Sequence, residues 1–301
     1  MDIDDLRTFT RIADAGSISA AARASGLPKS SLSRSLARFE GSVGAILFER
    51  GSRALRLTEA GRVFLPHARR ILDDVADAAA ALDGLHGAPR GTLRINAAMT
   101  FALGVVAPML PAFLARYPDV RVVLDTENRI VDLAREEVDV AIRIGALPDS
   151  DLIARKLADI ALWPCASPAY LARHGVPATP DDLAGHVLLG WSDLPSEWRF
   201  SDAAGATHHI AVPVGTLVPE PAVLQILLAG GVGIGRLPDF LARASVAAGS
   251  LQRVLPDFAP ETVQAHAVYA AHRTLSAKVR LFIDALCEAE RAIPSQGDEA
   301  V

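Results

Sequence analysis

The sequence predicts an α + α/β protein: a small helical head, a long connecting helix and a larger α/β body. Three observations carry this. Short helix-spaced apolar runs separated by glycine stops fill residues 1–58, a 4-3 apolar spacing runs through 59–90, and strand-like and helix-like runs alternate over 91–301. At 301 residues and 50% hydrophobic composition, the chain is long enough for more than one core.

In the head, Leu6, Phe9, Ile12 and Ala13 recur at helical spacing, and Gly16 ends the helix. Ser17 is the expected N-cap of a short alanine-rich helix, Ile18 to Ala24. Ser25-Gly26-Leu27 predicts a tight turn, and Pro28 opens a third helix reaching about Phe39. Leu32, Leu36 and Phe39 form its apolar face. Ser30, Ser33, Arg34 and Ala37 then point outward, with Lys29 at the start and Arg38 on the flank. That outer face is small, hydroxylated and cationic, with no acid before Glu40, as a helix entering the major groove requires. A merely solvated face would mix Glu with Lys. Ile46-Leu47-Phe48 and Ala54-Leu55-Arg56-Leu57 flank Arg50-Gly51-Ser52-Arg53, a hairpin with a basic tip able to meet phosphates or a minor groove. Charge supports the division: residues 1–70 carry 12 Lys/Arg against 7 Asp/Glu, while the remainder is strongly acidic.

These residues carry a resemblance. The ordered run Leu6-Arg7-Thr8-Phe9, Gly16-Ser17-Ile18-Ser19-Ala20-Ala21-Ala22, Ser31-Leu32-Ser33-Arg34, Leu36-Ala37-Arg38-Phe39-Glu40, Leu47-Phe48-Glu49-Arg50 and Leu57-Thr58-Glu59-Ala60-Gly61 is similar to the LysR-type transcriptional regulators. It implies a winged helix-turn-helix on double-stranded promoter DNA, with Ser17, Lys29, Ser30, Ser33, Arg34, Arg38, Arg50 and Arg53 as candidate contacts. Lys29-Ser30 stands where many members carry a glutamine, so no base preference is carried over.

Phe64, Ala68, Ile71, Val75, Ala78, Leu82 and Leu85 make a heptad seam on the connector, expected to pair with a second chain. Thr58 is its candidate cap and Pro66 bends its start. The resemblance agrees, implying a homodimer or homotetramer through this linker helix. Gly87-Ala88-Pro89-Arg90-Gly91 breaks the chain.

In the body, strands are expected at Leu93–Ile95, Val120–Leu124, Val138–Ile142, Ile160–Trp163, His209–Val212, Gly233–Gly235 and His266–Ala270. Helices are expected at Ile130–Glu136, near Ala222–Ala229 and at Ser276–Arg291. This reads as a parallel sheet with helical crossovers. Arg116-Tyr117-Pro118-Asp119-Val120, Asp139 to Gly145, Ala229 to Pro238 and His272-Arg273 resemble the LysR-type effector domain. That domain has two α/β lobes like periplasmic solute-binding proteins. Subdomain I would be about 91–162 plus 267–293, and subdomain II about 163–266. Ligands bind beyond strand ends, where helix starts favour anions. Thr100 and Asn128 follow strands, Arg143 ends one, Trp191 follows one in the second lobe, and Glu220 opens a helix there; these five are the candidate contacts for a small anionic effector.

Other classes fit less well. Gly231-Val232-Gly233-Ile234-Gly235 leads into a strand rather than from a strand into a helix, unlike a nucleotide loop. His208-His209 lack metal spacing, no Ser-His-Asp order stands out, and Cys165 and Cys287 read as buried hydrophobes in a reducing compartment. An architectural DNA binder would not need so large a body. No enzyme activity, cofactor or metal is expected. The acidic start lacks the n-region of a secretory signal, and the uncharged stretch between Arg94 and Arg116 reads as a strand and a broken helix, so a soluble, cytoplasmic protein without membrane contact is expected. RNA polymerase is a further candidate partner.

Overall fold

The computed structural model describes residues 2–50, 55–82, 89–128, 133, 138–191, 196–212, 216–271 and 276–292. Met1–Thr92, Asp119–Arg121 and Thr274–Lys278 form one compact unit and the rest of the chain a second.

The head has the expected three helices, α1 (Ile3–Ala15), α2 (Ile18–Ser25) and α3 (Lys29–Val43). Gly26, at φ 68°, turns the chain between α2 and α3 in the left-handed region that a side chain resists. Leu32, Leu36 and Phe39 are buried, as their spacing predicts. Strands β1 (Phe48–Arg50) and β2 (Leu55–Leu57) pair antiparallel, Phe48 opposite Leu57. The tip expected to carry Arg53 lies outside the described residues. Four rings close the core: Phe9 lies 5.6 Å from Phe39, 5.5 Å from Phe48 and 5.8 Å from Phe64.

Phe64 belongs to the connector, α4 (Glu59–Leu82), which contains Pro66. Thr58 starts it, its hydroxyl donating to the Ile46 carbonyl at 2.8 Å and accepting from the Gly61 amide at 2.9 Å. A Cβ on Gly61 would lie 2.1 Å from the Leu47 carbonyl oxygen, so only glycine lets α4 cross the incoming strand this closely. Ala68 is wholly buried, and Phe64, Leu65, Ile71 and Leu72 pack against the same head core. The expected seam therefore divides. Phe64, Ala68 and Ile71 are internal packing; Val75 is half-buried and Ala78 exposed; the Leu82 side chain and Leu85 lie outside what the structure describes.

The second unit begins in β3 (Gly91–Ala97), two residues longer at each end than expected. The apolar stretch after it is a continuous helix rather than a broken one: α5 (Met99–Phe101), a π-turn at Ala102–Val106, then α6 (Ala107–Arg116). It is long and apolar enough to cross a membrane by length and composition alone, a test that core helices of soluble proteins also pass. Here Phe101 packs edge-on against Phe240 at 5.8 Å, and Gly104 lies so close to the Phe240 ring that a Cβ would overlap it. β4 (Val120–Asp125) and β5 (Val140–Ile144) follow; the helix expected at Ile130–Glu136 falls almost wholly outside the described residues.

β6 (Ile153–Ala166) is the long strand of the body. The second lobe continues with α7 (Pro168–His174), β7 (Leu188–Leu189), β8 (Ser196–Ser201), β9 (Thr207–Val212), α8 (Pro221–Ala229), β10 (Ile234–Pro238), α9 (Asp239–Ala247), β11 (Gln252–Arg253) and β12 (Ala259–Pro260). β13 (Thr262–Tyr269) and α10 (Ala277–Ala292) return to the first lobe, where α10 buries Val279, Phe282, Ile283 and Leu286. The main sheet order is β4-β3-β5-β13-β6-β10-β7, with β12-β8-β9 a separate sheet.

The pairing is mixed rather than parallel throughout. β3 and β5 run parallel, as do β10 and β7, while β13 is antiparallel to both β5 and β6. β6 pairs with β13 up to Ala161 and with β10 from Leu162, which marks the first passage between lobes. The return falls between Pro260, still paired with β8, and Thr262. That is earlier than residue 267, because β13 extends four residues before the apolar run that revealed it.

The divided seam has a measurable consequence. Ile71→Asp puts a charge against the head core and should lower head stability by at least about 2 kcal/mol, seen as a depressed melting transition. Val75→Asp should leave that transition nearly unchanged.

Candidate DNA interface and effector cleft

Each candidate in the head is positioned by its helix. Ser17 caps α2, its Oγ accepting from the Ala20 amide at 3.1 Å. Lys29, Ser30, Arg34 and Ala37 are exposed on one side of α3, with Ser33 half-buried among them. Arg34 Nε lies 3.4 Å from the Ser30 carbonyl, which lays the guanidinium along the helix. Arg50 ends β1, and Arg53 lies outside the described residues.

Arg38 is different. Its Nε donates to Asp5 Oδ2 at 2.7 Å, its NH2 group donates to Oδ1, and the Ser35 hydroxyl also donates to Oδ1 at 2.6 Å. The Asp5 side chain is 4% exposed and that of Arg38 is 65% exposed. Arg38 thus ties α3 to α1, and the hydrogen bond from its guanidinium holds the Asp5 carboxyl below the usual range, outweighing burial. Sequence reasoning missed Asp5. The available signal was an acid beside Leu6 on the apolar side of α1. It also missed Glu40, whose Oε1 accepts from the Leu47 amide at 2.8 Å and the Phe48 amide at 3.1 Å, fixing the entry to the wing.

In the body, four of the five candidates line one cavity of about 90 Å³: Thr100, Asn128, Trp191 and Glu220. Thr100 is buried at the start of α5, and its hydroxyl donates to Glu220 Oε1. Asn128 Nδ2 donates to Glu220 Oε2 at 3.1 Å, while its Oδ1 lies 3.3 Å from the Met99 amide. Glu220 is also the N-cap of α8, accepting from the Ala222 amide at 3.4 Å. The remaining walls are apolar, including Ile144, Ile160, Leu162 and Val263.

Arg143 does not line this cavity. Its NH1 group donates to Asn96 Oδ1 at 2.6 Å, and Asn96, fully buried, donates to Asp125 at 3.1 Å. It lines an adjoining cavity of about 760 Å³ that also includes Asn128, Ile144 and Pro221. Behind Trp191, the Arg236 guanidinium lies 5.7 Å from one of its ring centroids and 5.3 Å from that of Trp198. Arg236 and Arg199 each donate to Glu261 at 2.6 Å. Burial pushes the Glu261 carboxyl up, but those two hydrogen bonds bring it below its usual value. Trp191 Nε1 is shielded from solvent and has no hydrogen-bond partner among the described residues.

Burial pushes the Cys165 thiol up to about 12, so it is no nucleophile at neutral pH. Among the described residues no three His, Cys, Asp or Glu side chains come within metal-binding reach.

A winged helix-turn-helix with a basic outer face, followed in the chain by a two-lobed α/β domain, is the architecture of a DNA-binding regulator. Comparison with known proteins agrees. Residues 3–62 match the family described as bacterial regulatory helix-turn-helix protein, lysR family, and residues 86–291 match the LysR substrate binding domain. The chain is 35% identical to an HTH-type transcriptional regulator of Xanthomonas campestris pv. campestris, over 95% of this chain and 84% of the relative. It is also 35% identical to the HTH-type transcriptional regulator CrgA of Neisseria meningitidis, over 95% and 96% of the two chains. The structure of Neisseria CrgA superposes with a TM-score of 0.61 at 34% identity, covering 96% of this chain and 98% of that one. That of AphB, a Vibrio cholerae virulence activator, gives 0.59 at 30% identity, covering 96% and 99%. The chain belongs to the LysR family of transcriptional regulators.

The Asp5–Arg38 tie predicts a pH dependence. Because the folded carboxyl is depressed, its contribution is complete above the unfolded value and is lost as pH falls through the folded one. Asp5→Asn should therefore lower the head's melting temperature at neutral pH, and the gap to wild type should close in acid. Melts across a pH series check this.

Proposed function

We propose that this chain binds promoter DNA through α3 and the wing, as a homodimer or homotetramer, and that a small anionic effector in the cleft modulates that binding. The observation that carries the DNA reading is the exposed side of α3, where Lys29, Ser30, Ser33 and Arg34 stand with no acid among them. Arg34 and Lys29 supply long cationic arms for base edges and phosphates, the serines supply hydroxyls, and Arg50 and Arg53 serve the wing. Arg38 holds the reading helix on α1 and has exposed surface left for a phosphate. The protein acts as a regulator rather than an enzyme, in the cytoplasm, with RNA polymerase a further partner.

Self-association falls to the distal part of α4, around Val75 and Ala78, since the proximal seam is spent on the head. The domain division follows function: reading head to residue 58, connector to 90, sensor beyond. Within the sensor, Thr100, Asn128, Trp191 and Glu220 face the effector, and Arg143 serves the adjoining cavity. Their convergence from separate strand ends and helix starts supports this site.

Arg34→Ala tests the reading on duplexes selected from a randomised pool. Loss of a bidentate base contact should cost about 1–3 kcal/mol on selected DNA and much less on scrambled DNA. Binding should also fall steeply with salt. An equal loss on both duplexes would make Arg34 a phosphate contact, and no loss on either would remove this side of α3 from the interface.

A further inference from the structure

The cleft already holds a carboxylate. Glu220, from the second lobe, lies on the Thr100 hydroxyl and on Asn128 Nδ2, both from the first. Among the described residues lining the small cavity, Glu220 alone bears a formal charge; the groups that bind it, Thr100, Asn128 and the Ala222 amide, are neutral donors. Such donors form a carboxylate-binding set, and the chain itself supplies the occupant.

We propose that Glu220 is a built-in stand-in for the effector: a small monocarboxylate with a short apolar body takes over Thr100 and Asn128 and turns the Glu220 side chain out. This rests on the cleft being the effector site. Two carboxylates on the same donors repel, so joint occupancy is disfavoured. Because Pro219 and Pro221 restrict the backbone on either side of Glu220, the displacement proposed is a rotation of its side chain rather than a movement of the chain. The ligand's body then meets Ile144, Leu162 and Trp191. Two effects follow. The resident carboxylate lowers apparent affinity by the fraction of time it occupies the donors, which sets a threshold concentration. Its removal also breaks a tie between the lobes, giving the ligand different interactions with the tied and untied arrangements, which allosteric control requires.

The experiment is calorimetric titration of the full-length protein with sodium propionate, sodium benzoate and benzylamine, using wild type, Glu220→Gln and Glu220→Ala, each checked by thermal melting. Propionate or benzoate should bind Glu220→Ala at least about tenfold more tightly than wild type. Glu220→Gln, which keeps the shape and loses the charge, should also bind more tightly than wild type. Adding Thr100→Val to Glu220→Ala should remove the gain. Equal carboxylate affinity in wild type and both variants would overturn the proposal while leaving the cleft as a site. So would benzylamine binding to wild type that Glu220→Gln abolishes, since Glu220 would then pair with a cationic ligand. If no probe binds any of the proteins, the cleft reading itself fails, and this proposal with it.

Discussion

Ala161 on β6 faces Thr262 on β13 where both strands leave the first lobe, and one step further the Leu162 amide donates to the Glu261 carbonyl at 2.9 Å. The two-lobed body depends on this rung. Both passages between lobes run through it, so the lobes are joined by a pair of strands in fixed register rather than by loops. Such a pair twists but does not slide, because a one-residue slip would turn every inward side chain outward. Ile160, Leu162 and Val263 lie beside the rung and form the floor of the cleft. The Glu261 carboxylate, at the rung itself, holds Arg236 and Arg199, and Arg236 lies over Trp191 in the cleft wall. Trp191 is thereby connected, through Arg236 and Glu261, to the rung that both passages share.

In the head the organising element is Phe9. Rings from α3, β1 and α4 converge on it, so the connector is part of the reading domain's core. This explains why the seam divides at Ile71. A heptad pattern records that one side of a helix is apolar, not which neighbour covers it, and the first turns of α4 are covered by their own domain. Gly61 is what permits the approach, since any side chain would collide with the Leu47 carbonyl.

Much of the body was legible because strand ends and helix starts are local features. Thr100, Asn128, Trp191 and Glu220 were each placed by that rule, and the structure brings them to one cavity. Arg143 satisfied the same rule yet turns toward Asn96 and the neighbouring cavity, because direction at a strand end depends on which strand pairs beside it. Strand direction was illegible for the same reason. Nothing local in Thr262-Val263-Gln264 distinguishes an antiparallel return strand from a loop, with two of the three residues exposed. Asp5 was hidden in another way: an acid on an apolar side reads as a flaw in the pattern until the partner thirty-three positions away, Arg38, is known.

Capping and the proposed recognition residues coincide in this chain. Ser17 caps α2 at the edge of the reading head, and Glu220 caps α8 at the edge of the cleft. The reason is geometric: a helix start presents unpaired amides, and whatever satisfies them sits where a ligand would also sit. For Glu220 this sets the balance of sensing. A ligand carboxylate that displaces it gains Thr100 and Asn128, but leaves the Ala222 amide at the start of α8 without its partner, which costs free energy. The ligand's apolar contacts with Ile144, Leu162 and Trp191 must exceed that cost before the tie between lobes is released. On the proposed displacement, anions that offer charge alone fall short of it, and the apolar wall of the cleft, rather than its polar end, selects among carboxylates.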